Sequence, residues 1–167
     1  GNNYQGSAYI FERDATGQWV QKKRIVASDG AADDKFGRTV SIESGRVVVG
    51  SPRSNVDGNE GQGSAYIFEK DPNTQEWVQI QKIISSDGDA GDIFGKSVSI
   101  ESGTIVVGAP GNYADYHTSQ GAAYIFEKNA TGQWQQTQKF TSSDGETSDF
   151  FGFKVFIQGG TIGVGVR

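Results

Sequence analysis

Short runs of apolar residues recur along the chain, separated by glycine-rich and polar stretches. In residues 7–13, Ala8 and Ile10 alternate with Tyr9 and Phe11, so both the even-numbered and the odd-numbered positions are apolar. Successive side chains of a strand point to opposite faces of the sheet, and a strand that is apolar on both faces is typical of a sheet covered from both sides. The pattern therefore predicts a buried β-strand.

Three further segments complete a predicted four-stranded meander. Residues 19–27 mix apolar residues with Lys, Arg and Gln, which is typical of a half-exposed edge strand. Residues 38–43 alternate apolar and small side chains. Ser44 and Gly45 then predict a tight hairpin turn into the apolar run at residues 47–49.

The unit occurs three times. Successive copies are 57 or 58 residues apart, and a fixed period of this length is the signature of a repeat architecture. The recurring features are the segment GSAYIFE or GAAYIFE (6–12, 63–69 and 121–127), a tryptophan (Trp19, Trp77 and Trp134), Ser-Asp-Gly (28–30, 86–88 and 143–145) and Phe-Gly (36–37, 94–95 and 151–152). Because each tryptophan holds the same position in its repeat, the tryptophans are predicted to pack between units.

A small sheet with two apolar faces cannot bury them alone, so neighbouring copies must stack on it. Radial stacking predicts an all-β fold, a β-propeller of four-stranded antiparallel blades, with the small-residue strand near the axis and the lysine-bearing strand at the rim. A total of 24 glycines and only 3 prolines agrees with many tight turns. A linear β-solenoid is the alternative, although solenoid coils usually have shorter periods.

The residues that carry this pattern resemble a known family. Phe36-Gly37 followed by residues 50–52 (Gly-Ser-Pro), and Phe94-Gly95 followed by residues 108–110 (Gly-Ala-Pro), are similar to the FG-GAP repeat of integrin α-chain propellers and of bacterial and algal surface proteins. The resemblance implies a propeller of several blades and a secreted or cell-surface location. It also implies a role in recognising proteins or glycans.

The resemblance also implies a blade register. In the family a blade runs from the Phe-Gly strand to the tryptophan strand, which gives a half-blade at 1–27, whole blades at 36–84 and 94–141, and a half-blade at 151–167. The two half-blades complement each other. We therefore expect either a head-to-tail homodimer with six blades or completion by flanking blades of a longer parent chain.

Charge and composition narrow the functions further. A formal net charge of −5 disfavours nucleic acid as a partner, and no segment approaches the roughly 18 apolar residues that a membrane span needs. Cysteine is absent, so disulfides and thiolate metal sites are excluded. His117 is the only histidine and no nucleophile motif accompanies it, so we do not expect an enzyme.

Calcium is a possible cofactor. The loop at 55–60 places oxygen side chains at alternate positions, as calcium loops do, although an ordinary polar loop explains it better. The family's usual calcium loop corresponds here to the turns at 43–45, 101–103 and 158–160, which are too short to supply six to eight oxygen ligands. The Ser-Asp-Gly loops offer another placement, but an Asx-type turn that holds the loop explains their recurrence better. The candidate metal ligands in these loops are Asp29, Asp34, Asp87, Asp89, Asp92, Asp144 and Asp149.

The loops after the Gly-Ser-Pro and Gly-Ala-Pro segments differ most between copies. Variable loops on a rigid scaffold are common places for partner binding. The candidate ligand-binding residues are Asn55, Asp57 and Asn59 in one loop, and Tyr113, Asp115, Tyr116 and His117 in the next. Asn129 begins an Asn-Ala-Thr glycosylation sequence in a predicted hairpin.

These observations predict an extracellular, non-enzymatic binding or adhesion module that recognises a protein or glycan through its blade-connecting loops. The alternative is a structural component that forms rings or extended surface assemblies by half-blade exchange.

Overall fold

The structure, a computed structural model, describes residues 3–111, 120–146 and 148–167. These residues form twelve β-strands and no helix, which confirms the all-β prediction. The strands are β1 (Ala8–Arg13), β2 (Trp19–Ile25), β3 (Thr39–Glu43), β4 (Arg46–Ser51), β5 (Ser64–Lys70), β6 (Trp77–Ile83), β7 (Ser97–Glu101), β8 (Thr104–Ala109), β9 (Ala122–Lys128), β10 (Trp134–Phe140), β11 (Lys154–Gln158) and β12 (Thr161–Gly165).

Two four-stranded sheets lie between two smaller ones. Strands β3-β4-β5-β6 form one antiparallel sheet and β7-β8-β9-β10 form the next. Strands β1-β2 and β11-β12 are separate two-stranded sheets. The arrangement of four-stranded antiparallel sheets is propeller-like, as expected, and the described sheets do not close into a ring.

The hairpin turns follow directly from the sequence. Ser44 and Gly45 have φ values of 45° and 76°, and Ser102 and Gly103 have 49° and 78°. Two consecutive residues with positive φ form the turn that matches the twist of an antiparallel pair. The same two-residue connection joins β11 to β12 through Gly159 and Gly160.

Consecutive sheets pack face to face through apolar side chains, and one buried cluster contains residues of both four-stranded sheets. Within each blade, the phenylalanine of the Phe-Gly segment packs against the third strand. Phe94 is fully buried and makes edge-to-face contacts with Tyr124 and Phe126, at centroid distances of 5.5 and 5.9 Å. Phe36 makes the equivalent contacts with Tyr66 and Phe68. Along the inner edge, β3 contacts β7 and β7 contacts β11. Each Phe-Gly segment therefore begins an inner strand and also anchors the core of its blade.

Glycine permits the closest approach between sheets. A Cβ atom added at Gly50 would collide with the carbonyl oxygen of Gly95, and one added at Gly108 would collide with the carbonyl oxygen of Gly152. At these points backbone packs directly on backbone, so the second strand of each unit needs glycine here.

One expectation about the first copy is wrong. The strand at 7–13 was expected to be covered on both faces, and Trp19 to pack between blades. The chain instead covers only Ala8 and Ile10, whereas Tyr9, Phe11 and Trp19 are 51%, 51% and 64% exposed. Their six equivalents in the whole blades are 7% exposed or less: Tyr66, Phe68, Trp77, Tyr124, Phe126 and Trp134. The difference arises because, among the described residues, no further sheet lies against this face of β1 and β2.

Among the described residues, no helix is long and apolar enough to span a membrane.

Candidate functional site

One end of the sheets gathers the loops that differ most between copies. The inner strand pairs are antiparallel, so the starts of β3, β7 and β11 lie at the same end as the ends of β4, β8 and β12. The connections from β2 to β3, from β4 to β5 and from β6 to β7 meet this end. We call it the loop face.

A cleft of about 780 Å³ opens on the loop face between consecutive sheets. Its walls are joined by backbone hydrogen bonds: Arg53 N donates to Asp34 O at 3.2 Å, and Gly91 N donates to Glu60 O at 2.9 Å. These bonds hold three loops in fixed relation before any ligand arrives. The lining residues are Ala31, Ala32, Asp33, Asp34, Pro52, Arg53, Asn55, Glu60, Gly61, Ala90, Gly91 and Ile93.

The predicted ligand-binding residues divide into two groups. Asn55 lines the cleft, and its Oδ1 accepts a hydrogen bond from Gly61 N at 2.9 Å. Asn59 Nδ2 donates to Gln62 Oε1 and to Gly88 O, so it joins its loop to the connection between β6 and β7. Asp57 is exposed at the loop tip, with φ of 49°. The second group, Tyr113, Asp115, Tyr116 and His117, lies outside the described residues.

Three of the candidate metal ligands brace their own loops. Oδ2 of Asp34 accepts from Ala31 N at 2.7 Å, Oδ2 of Asp92 from Asp89 N at 2.9 Å, and Oδ2 of Asp149 from Glu146 N at 2.8 Å. Each carboxylate therefore satisfies a backbone donor three residues earlier, which is an Asx-type role. Burial raises the pKa of Asp92.

The other loop carboxylates contact neighbouring groups. Asp29 lies 2.7 Å from Lys82 Nζ, and Asp87 accepts from Tyr124 Oη at 3.1 Å and from Lys139 Nζ at 2.6 Å. The hydrogen bond from Lys139 lowers the pKa of Asp87. Asp144 accepts from Ser142 Oγ instead. Among the described residues, no three or more His, Asp or Glu side chains lie close enough to hold a metal ion together, and calcium binding stays a prediction.

A cluster of basic residues, which the sequence analysis missed, lies at the inner margin of the loop face. Burial, reinforced by the charges of Arg38, Lys154, Arg167 and Arg53, lowers the pKa of Lys96. Lys96 Nζ and Arg167 Cζ also lie 5.1 and 5.9 Å from the ring centroid of Phe153. We call these five residues the axial cluster. Arg53 belongs to both the cluster and the cleft.

Asn129 lies in the hairpin between β9 and β10. Its Oδ1 accepts from Thr131 N, Thr131 Oγ1 and Gln133 N, at 2.7–3.0 Å. Asp14 Oδ1 accepts the equivalent three bonds in the first copy. Asn129 therefore has a structural role in the turn, and its glycosylation stays a prediction.

The stacked meanders, the Phe-Gly anchors and the loop-lined cleft define a propeller-type repeat protein that presents variable loops on a rigid β-scaffold. The sequence profile of the FG-GAP repeat matches residues 19–68, 77–126 and 134–167, and the chain belongs to the FG-GAP repeat family. No curated protein matches the chain. FG-GAP repeats typically occur in extracellular adhesion and binding modules, and the family is generally non-enzymatic.

Proposed function

We propose that this protein is an extracellular, non-enzymatic adhesion module that binds a protein or glycan ligand in the loop-face cleft. The observation that carries the proposal is the cleft itself, whose walls come from three loops joined by backbone hydrogen bonds. Loops held by a twelve-strand scaffold lose little conformational freedom on binding, which favours affinity.

The axial cluster indicates the chemistry of the ligand. The protein carries a net charge of −5, yet the charges of four cations act on Lys96, and one of the four, Arg53, lines the cleft. Three of them are arginines, whose planar guanidinium groups bind carboxylate and sulfate groups through paired hydrogen bonds. The loops around the cluster carry Asp33, Asp57 and Glu60, which repel a long polyanion. A compact acidic group on the ligand fits this charge pattern best.

Binding to immobilised glycans and to a panel of extracellular proteins tests the proposal, with acidic and neutral glycans of equal length compared at two salt concentrations. We expect saturable binding to acidic ligands that weakens as salt rises. Arg53→Gln should weaken it about tenfold, because the residue belongs to both cleft and cluster. Lys22→Gln, at an exposed position on β2, is the matched control and should have no effect. Absence of saturable binding, or equal binding by both variants, would contradict the proposal.

A second candidate function is structural, in which chains join head to tail into rings or extended surface assemblies. The observation that favours it is the exposed aromatic face of β1 and β2, formed by Tyr9, Phe11 and Trp19. A contiguous apolar face of this kind typically marks an interaction surface. Light scattering tests it, and a mass above that of one chain at high protein concentration is the expected result, with a fixed mass for rings and a growing mass for extended assemblies.

A further inference from the structure

Two surfaces of the chain lack the neighbours that their equivalents have. The outer face of β1-β2 carries the exposed aromatic residues Tyr9, Phe11 and Trp19. On the inner strand β3, Val40 and Ile42 are 55% and 63% exposed, whereas Val98 and Ile100 at the same positions of β7 are each 6% exposed. In addition, β1 and β12 each pair along one edge only within the described sheets.

Contacts between consecutive sheets repeat with the period of the sequence. We call the interface between two consecutive sheets a junction. Each junction has an ion pair between the lysine that ends the third strand of a four-stranded sheet and a glutamate of the sheet before it. A second ion pair joins a lysine of the fourth strand to the aspartate of the preceding Ser-Asp-Gly, and a glutamine accepts from the backbone of the preceding serine. The pairs are Lys70–Glu12 and Lys128–Glu69 (2.9 Å each), Lys82–Asp29 (2.7 Å) and Lys139–Asp87 (2.6 Å), and Gln79–Ser28 and Gln136–Ser86 (3.0 Å each).

The open surfaces carry the two halves of the next junction in this series. On the acidic side of a junction, the residues one repeat after Glu69, Ser86 and Asp87 are Glu127, Ser143 and Asp144, which lie on or after the last four-stranded sheet. On the basic side, the residues one repeat before Lys70, Gln79 and Lys82 are Arg13, Gln21 and Arg24, which lie on β1-β2. Every residue needed for a third junction is therefore present, with opposite charges on the two surfaces. The charges match as in the two junctions that the structure contains.

We propose that a second copy of this chain supplies that junction, with β12 of one copy pairing with β1 of the other. The β8-β9 pair gives the register, because Thr104 lies opposite Glu127 and Val107 lies opposite Tyr124. The equivalent pairs between copies are Thr161 with Glu12 and Val164 with Tyr9. Two such junctions join two copies head to tail in a closed six-bladed ring.

A second copy fits better than closure within one chain. The β1-β2 and β11-β12 sheets lie at opposite ends of the stack and do not pair with each other. Head-to-tail pairing turns the two-stranded sheets into four-stranded ones, since β11-β12 corresponds to the two inner strands and β1-β2 to the two outer strands of a four-stranded sheet. It also places Phe151, which is partly buried in the single chain, against Tyr9 and Phe11 of the partner copy, as Phe94 lies against Tyr124 and Phe126.

One position of the inner strands differs between the repeats in a way that favours a junction between copies. Ser41 Oγ accepts from Ile100 N at 3.2 Å, and Ser99 Oγ accepts from Ile157 N at 3.1 Å. The corresponding residue of β11 is Phe156, which is 59% exposed. In the ring, Phe156 packs against the exposed Val40 and Ile42 of the partner copy, so apolar contact replaces the hydrogen bond found at the other junctions.

This inference deepens the structural candidate function by naming the partner, and it is independent of ligand binding in the cleft. Light scattering over a wide concentration range gives the first test. We expect a discrete species of about twice the 17.9 kDa chain mass. A mass of one chain at all concentrations, or a mass that keeps growing, would overturn the ring. A discrete dimer that never grows supports the ring but contradicts extended surface assembly, so the two failures are distinguishable.

Cysteine cross-linking tests the register, because the chain has no cysteine of its own. The variant carrying Thr161→Cys and Glu12→Cys should form disulfide-linked dimers under mild oxidation. The variant carrying Thr161→Cys and Thr74→Cys, with the second cysteine in the turn between β5 and β6, is the matched control and should not. Equal cross-linking of both variants would overturn the proposed pairing.

Charge exchange tests the chemistry of the junction. Arg13→Glu should raise the dissociation constant of the dimer about tenfold, because it places like charges opposite each other at both junctions. Glu127→Lys should do the same, and the two changes together should restore the dimer. Both residues are exposed in the single chain, so the variants should keep the fold. Failure of the double variant to recover would count against the proposed pair.

Discussion

Lys128 Nζ lies 2.9 Å from Glu69 Oε1, and 58 residues earlier Lys70 makes the same contact with Glu12. The ion pair belongs to the junction between sheets rather than to either sheet. Its repetition shows that the chain uses one set of charges to align successive units.

The Lys128–Glu69 pair should contribute modestly to stability. Both side chains are about one third exposed, so solvent screening limits their coupling. We expect a double-mutant cycle with Lys128→Met and Glu69→Gln to give a coupling of about 0.5 kcal/mol in urea unfolding. The Lys23–Glu76 pair, with side chains 41% and 61% exposed, should give less. A larger coupling at the more exposed pair would contradict this ranking.

Phe94 should be among the most important residues for stability. It is fully buried against Tyr124 and Phe126, and Phe94→Ala should cost about 3–5 kcal/mol. Phe151 holds the equivalent position but is only partly buried. Phe151→Ala should therefore cost distinctly less in the single chain, and its cost should rise in the dimer. Chemical denaturation at low and high protein concentration measures both effects, and equal costs at low concentration would refute the comparison.

Gly50 should not tolerate even a methyl group. A Cβ at this position would collide with the Gly95 carbonyl oxygen, and Gly50→Ala should cost about 1–3 kcal/mol through forced backbone movement. Gly17 is the control, because its φ is +85° but nothing lies within 4 Å of an added Cβ. Gly17→Ala should cost about 1 kcal/mol through backbone strain alone. Thermal or urea unfolding separates collision from strain, and the expectation fails if Gly17→Ala is the more destabilising.

Stability should fall in acid. Hydrogen bonds from the partner lysines lower the pKa of Glu12 and Asp87 in the folded protein. A group with a lowered pKa contributes stability that is fully present above its unfolded value near pH 4 and is lost as the pH falls through the folded value. Asp92 has the opposite sign, since burial raises its pKa and its ionisation disfavours the folded state.

Urea unfolding between pH 7 and pH 2.5 measures this dependence. The free energy of unfolding should decline below about pH 4, and Asp87→Asn should make the decline shallower. Gain of stability between pH 5 and pH 3 would mean that Asp92 outweighs the paired carboxylates.

Sequence alone predicts the strands and turns well because their signals are local. The apolar alternation of β3 and the Ser44-Gly45 turn need only neighbouring residues to be recognised. Burial is different, because it depends on what lies opposite. Residues 6–12 and 63–69 have the identical sequence GSAYIFE, yet Tyr9 is half exposed and Tyr66 is fully buried. No property of the segment itself distinguishes the two.

The candidate site shows the same limit. Arg38 and Arg53 flank the β3-β4 hairpin, whereas Arg167 follows β12 in a different sheet. Arg167 joins the other two only because the inner strand pairs of successive sheets begin and end on the loop face. A recurring basic residue after Phe-Gly, at Arg38 and Lys96, was the one available signal. The Ser-Asp-Gly aspartates also differ in their partners, since Asp87 contacts Lys139 whereas Asp144 contacts Ser142.

The direct approach of Gly50 to the Gly95 carbonyl has a consequence for how such proteins change over time. At this point the spacing between the sheets is set by van der Waals contact between backbone atoms, which every amino acid carries. Whole units can therefore be gained or lost without a new fit having to be found at the centre, while substitutions accumulate in the peripheral connections. Binding specificity can change in this way while the geometry of the β-scaffold stays nearly the same.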